Sequence, residues 1–147
     1  MTNSVFSKIL VCVEDSPCSN KALLRVCELA KKSNSKLSLI YVVDKPPLVK
    51  GLGLGLIDRG EFIKMFRDHR KNALKKASKI AEKNGLKAET VMKEGNIANE
   101  IIKFAKKEKI DLIAIDSRGL SKIPRFVLGS ISNKIANYAP CAVLIVK

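Results

Sequence analysis

Short runs of consecutive apolar residues, separated by helical patterns, narrow the possible folds of this chain more than any other feature. Ile9-Leu10-Val11-Cys12-Val13 and Leu112-Ile113-Ala114-Ile115 are apolar at every position, and Leu37-Ser38-Leu39-Ile40-Tyr41-Val42-Val43 nearly so. A strand of that kind has no solvent face, which suits a parallel sheet covered on both sides. Glu14-Asp15-Ser16-Pro17 breaks the first run, with Ser16 placed as an N-cap and Pro17 as the first helical residue; Ala22, Val26, Leu29 and Ala30 then line one helix face. Asp44-Lys45-Pro46-Pro47 stops the second run, because proline cannot continue a ladder. A second helix is expected over 61–83, with Phe62, Met65, Phe66, Ala73, Ala77, Ile80 and Ala81 inward and Asn84-Gly85 as its stop. A weaker strand over 88–92 and a turn at Glu94-Gly95-Asn96 lead to a third helix over 97–109, with Ile97, Ile101, Phe104 and Ala105 inward. A strand over 111–115, a fourth helix ending near Tyr138 and a last strand over 142–146 complete the order. This alternation predicts an α/β sandwich with a mainly parallel sheet, right-handed crossovers and a ligand crevice at the carboxyl ends of the strands.

With 147 residues, 46% of them hydrophobic, the chain is expected to form one domain over 1–147. No apolar run approaches the roughly 20 residues of a membrane span, and the first residues lack a signal-like apolar block, so a cytoplasmic location is expected. Cys12, Cys27 and Cys141 fall on apolar patterns and read as reduced, buried thiols; Cys18 falls in a helix's first turn. No C-x-x-C pair exists and His69 is the one histidine, which argues against a closed zinc site. A net charge of +14 suggests a polyanion partner. Much of it, however, lies along one helical stretch (Lys64, Arg67, Arg70, Lys71, Lys75, Lys76, Lys79, Lys83) with no aromatic platform interleaved with the lysines, phenylalanine being sparse, as a solvated face would have.

Three loops should meet at one edge of the sheet: Glu14-Asp15-Ser16, Val42-Val43-Asp44, and the segment 116–130. In the last, Gly119 and the Gly129-Ser130 pair read as a phosphate cradle, since glycines let backbone N–H groups approach an anion and Ser130 can cap the following helix. Arg118, Lys122, Arg125 and Lys134 add positive charge. Asp116 opposes it, because a carboxylate about 4 Å from a phosphate charge costs on the order of 4 kcal/mol at an effective dielectric near 20. The cost falls if Asp116 turns aside or helps hold a Mg2+ ion that neutralises the phosphates. Gly51-Leu52-Gly53-Leu54-Gly55-Leu56 lacks the dinucleotide spacing and reads as a flexible linker, with a lid or partner-contacting surface as the alternative.

Ile9 to Ser16, Glu94-Gly95, Asp111-Leu112-Ile113, Ser117 to Ser121, Leu128 to Ser132 and Ala139 to Val146, in that order and spacing, resemble the universal stress protein family over essentially the whole chain. The resemblance implies a five-stranded parallel sheet of order 3-2-1-4-5 with helices on both faces, a Rossmann-like sandwich of the adenine nucleotide alpha hydrolase type, usually dimeric through the last strand. ATP-binding members carry G-x-x-G, nine residues, then G followed by Ser or Thr. Gly119, Gly129 and Ser130 match that pattern, with Ile131 at the start of the helix beneath, while Asp116 replaces the first glycine. Glu14 matches the acid that fixes the ribose or adenosine end, and Val42 the position whose backbone reads the adenine edge. Asp15, Ser16 and Arg118 flank these positions as further candidate contacts. The expected function is therefore an ATP-binding regulatory protein of the stress response, with Mg2+ at Asp116 as a candidate companion. The alternative is a relative that binds no ATP and uses its basic surface for nucleic acid or an acidic protein. No P-loop is present, so at most slow ATP hydrolysis is expected, with Glu14 or Asp116 activating water.

Overall fold

Five strands form one sheet: β1 (Lys8–Cys12), β2 (Lys36–Val43), β3 (Ala88–Glu94), β4 (Leu112–Asp116) and β5 (Ala142–Val146). All four neighbouring pairs are parallel, and the spatial order is β3-β2-β1-β4-β5, as the resemblance implied. The helices are α1 (Pro17–Ser33), α2 (Arg59–Lys83), α3 (Ile97–Lys107) and α4 (Ser130–Tyr138). This computed structural model describes residues 4–14, 16–44, 59–117 and 128–147. Asp15, Arg118, Gly119 and the glycine-leucine segment 51–56 lie outside the described residues, as do the side chains of Cys18, Phe62 and Phe66.

Successive side chains of β1 go to opposite faces, which explains why its run is apolar throughout. Ile9 and Val11 join Leu23, Val26 and Ala30 of α1 and Leu74, Ala77 and Ala81 of α2 in one core layer. Leu10 and Cys12 join Ala98, Ile101 and Ala105 of α3 and Ile135 of α4 in the other. The first two crossovers thus pack α1 and α2 on one face, and the last two put α3 and α4 on the opposite one.

Local chemistry sets the helix boundaries. Ser16 caps α1 by accepting a hydrogen bond from the Ser19 N–H, Pro17 occupies the first turn, and Asn34 closes the helix with φ +52°. Gly85, at φ +77°, ends α2, where the Leu86 N–H returns to the Ala81 carbonyl. Helix α3 stops at Lys107, two residues earlier than expected, because Lys109 takes φ +53° and the Ile110 N–H turns back to Ala105. Strand β3 is longer than its sequence suggests, running in register with β2 to the Val43–Glu94 pair. In α2 the inward stripe is Ala73, Leu74, Ala77 and Ala81, whereas Met65 is 71% exposed rather than inward. Cys12 and Cys27 are buried free thiols; Cys141 is only half-buried. Lys64, Arg67, Lys71, Lys75, Lys76, Lys79 and Lys83 are exposed along α2.

Candidate functional site

From β1 the chain moves out to β2 and β3, then crosses back to lay β4 on β1's other side. That reversal opens a crevice outside the carboxyl ends of β1 and β4, the usual ligand position in open parallel sheets. Two acids meet there. Glu14 follows β1 by two residues, and Asp116 is the last residue of β4.

The start of α1 positions Glu14, whose backbone N–H donates to Ser19 Oγ at 2.9 Å. Among the described residues, Glu14 Oε2 is buried and has no hydrogen-bond partner. Burial, and secondarily the Asp116 charge, pushes the Glu14 carboxyl up to about 7. The neighbouring Cys12 thiol is also raised, first by burial and then by Glu14 and Asp116, so it stays protonated and inert. Asp116 is 3% exposed. By strand alternation it shares the α1 side of the sheet with Leu112 and Ala114.

The neck of the glycine segment is closed by backbone bonds: the Ser117 N–H donates to the Val146 carbonyl at 3.0 Å and the Gly129 N–H to the Ser117 carbonyl at 3.1 Å. Gly129, not Ser130, is the N-cap of α4, and among the described residues no side chain caps this helix. The expected capping by Ser130 is therefore corrected. Gly129 remains extended at ψ 156°, so Ser130 is already the first helical residue and its exposed side chain lies past the cap position. The serine that fastens α4 is Ser132, whose buried Oγ donates to the Asp116 carbonyl at 2.9 Å. Its spacing of three from the buried Ile135 was the available sequence signal.

A cleft of about 300 Å³ opens beside the first turn of α4, lined by Ser130, Ile131 and Lys134 together with Asp44, Asn96, Ile97 and Ala98. The sequence motif pointed to Ser130 and Ile131 but not to Asn96 or Ala98, which arrive from the start of α3. Glu14, Val42 and Asp116 are not part of this lining. Val42 is buried in β2, opposite Lys93 of β3. Ser16 is buried as the α1 cap.

The structure therefore brings Glu14 and Asp116 together at the switch point, and Ser130 with Ile131 at the neighbouring cleft. The candidate set fits an adenosine-type ligand chemically. A buried carboxylate oxygen without a partner can accept from a ribose hydroxyl, and a helix N-terminus with a lysine beside it suits an anion. Among the described residues no group of three His, Cys, Asp or Glu is placed to hold a metal ion. A Mg2+ at Asp116 would thus rely on phosphate oxygens for further ligands.

A five-stranded parallel sheet with helices on both faces and a crevice at its switch point places the chain in the Rossmann-like α/β class. The sequence matches the Universal stress protein family over residues 6–147, and the chain belongs to that family. It is 37% identical over 145 residues to Universal stress protein MJ0531 of Methanocaldococcus jannaschii, covering 98% of this chain and 84% of that protein. It is 34% identical over 148 residues to Universal stress protein YxiE of Bacillus subtilis, covering 97% and 100%. Universal stress protein UspA from Lactobacillus plantarum superposes with a TM-score of 0.81 at 24% identity, covering 96% of this chain and 97% of the other, a likeness of fold. Structures of the same fold include universal stress family proteins with cAMP, dAMP and AMP, at 24, 21 and 20% identity and TM-scores of 0.71, 0.67 and 0.68.

Proposed function

We propose that the switch-point crevice binds an adenine nucleotide, ATP in particular, and that occupancy regulates a cytoplasmic stress-response protein. The observation that carries this reading is Glu14 Oε2, a buried acceptor without a partner among the described residues, at the crevice next to the cleft at the start of α4. Glu14 accepts from the ribose, the Val42 backbone reads the adenine edge, and Gly129, Ser130 and Lys134 face the phosphates. Asp15, Ser16, Arg118, Gly119 and Ile131 complete the proposed contacts. Mg2+ enters only with the phosphates, beside Asp116. The family structures holding cAMP, dAMP and AMP support the choice of an adenine nucleotide. We assign no catalytic step to the site. A homodimer through β5 belongs to the same proposal, supported by that strand's position at the end of the sheet.

Calorimetric titration of ATP and AMP, with and without Mg2+, tests the reading. The natural protein should bind, and Glu14→Ala should weaken binding by about 10- to 100-fold, the worth of a charge-assisted hydrogen bond. Asp116→Gly should tighten ATP binding by about tenfold or less, because the carboxylate lies on the α1 side rather than in the cleft. Failure of the natural protein to bind either nucleotide under either condition would refute the assignment.

A further inference from the structure

The helices α3 and α4 enclose a second, larger groove of about 670 Å³ on the outer face of their layer. Its walls carry Lys103 and Lys106 from α3 and Lys134 and Tyr138 from α4. The Tyr138 ring is 70% exposed and lies one helical turn beyond Lys134. By bringing α4 beside α3, the fold sets an exposed aromatic ring next to lysines of both helices. The carboxylate in the groove, Glu100, lies 3.7 Å from Lys103 Nζ and offsets part of its charge, and Lys106 and Lys134 keep the groove net positive. Asn99 adds a neutral donor and acceptor.

We infer that this groove is a binding surface for single-stranded nucleic acid, with Tyr138 as the platform on which a base stacks and Lys103, Lys106 and Lys134 as phosphate contacts. A cationic channel with an exposed ring is the combination such ligands use, since every base offers a flat face and every nucleotide a charge. A duplex keeps its bases stacked on one another and so offers the Tyr138 ring no free base face. An acidic peptide would engage the lysines but gain little from the ring. The net charge of +14 favours the encounter with any polyanion; the groove selects among them. Lys134 also lines the switch-point cleft, so the variants that test this groove leave it in place and alter only residues outside the proposed nucleotide contacts.

Fluorescence anisotropy with a labelled oligo(U) of about 12 nucleotides, read over roughly 50–200 mM salt, tests the proposal. Tyr138→Ala should weaken binding about 5- to 150-fold, with Tyr138→Phe close to the natural protein. Three phosphate contacts give a slope of about −2 in log affinity against log salt, and Lys103→Glu/Lys106→Glu should make it shallower by about 1.4. The pair Lys75→Glu/Lys79→Glu on α2, in the opposite layer, should lose less affinity than the groove pair. All these side chains are exposed, so circular dichroism should report unchanged folding. The assignment is overturned if the natural protein does not bind the oligonucleotide, if Tyr138→Ala binds as well as the natural protein, if the α2 pair loses as much as the groove pair, or if duplex RNA or poly-glutamate competes as well as oligo(U).

Discussion

Replacing Glu14 by glutamine should stabilise the protein by an amount that grows as pH rises from about 4.5 to about 7 and is constant above that. The carboxyl titrates near 7 in the folded chain against an ordinary value of 4.5, chiefly because it is buried. Between those values the folded chain holds a proton that the unfolded chain has released. Stability is therefore greatest below about 4.5, falls as pH rises toward about 7, and is flat above it. At about 1.4 kcal/mol per tenfold, the gap has a ceiling of about 3 kcal/mol; solvent screening of a partly exposed group brings this to about 2 kcal/mol. Glutamine keeps the shape and never ionises. Urea unfolding at pH 4 and pH 8 should thus give nearly equal stability for Glu14→Gln and the natural protein at the lower pH. At the higher pH the variant should lead by about 2 kcal/mol, or roughly 4–8 °C in Tm. Asp116→Asn should recover a smaller part, since the Asp116 charge is the lesser cause of the shift. A gain of equal size at both pH values, or none at pH 8, would show that Glu14 is not the buried acid described above.

Two further perturbations probe how the crevice is supported. Ser132→Ala removes the buried bond from Oγ to the Asp116 carbonyl and should cost about 1–2 kcal/mol in denaturant unfolding; restoration by Ser132→Thr would be consistent with loss of the hydroxyl as the cause. Gly95→Ala should cost about 1–3 kcal/mol, because Gly95 has φ +145° and a new Cβ would lie 3.0 Å from Glu100 Cγ. Adding Glu100→Ala should return only part of that loss, since the backbone strain remains, and full recovery would place the whole cost in the side-chain contact.

The sheet was legible because its central strands, β1 and β4, are buried on both faces. Ile9 and Val11 serve one core and Leu10 and Cys12 the other, so the run carries no polar position and its apolar continuity alone marks a parallel strand. Helix α2 was less legible at its amino-terminal half. Met65 sits at helical spacing from the core stripe yet is exposed, whereas Leu74 is buried; spacing alone cannot tell where a long helix leaves the sheet. At the site, the acids and the glycine-serine motif were visible because their chemistry is local. The use of Ser132 rather than Ser130 to fasten α4 was not, because it depends on where the Gly129 backbone stops being extended. Likewise, Tyr138 gains its meaning only when α3 and α4 pack side by side.

The substitution of Asp116 for the first glycine of the motif looks, in sequence, like a charge placed against a phosphate. The fold changes the terms of that conflict. Strand alternation turns the side chain toward the α1 layer, and what Asp116 presents to α4 is its carbonyl, held by Ser132. The repulsion that remains is expressed in Glu14, whose raised titration leaves it about half protonated at neutral pH. The crevice therefore carries less negative charge at pH 7 than two ordinary carboxylates would impose. Because burial outweighs Asp116 in that shift, removing Asp116 alone leaves most of the upward shift of Glu14 in place. An acid at position 116 is consequently compatible with an anionic ligand at the neighbouring cleft, at a cost well below the on the order of 4 kcal/mol of direct contact.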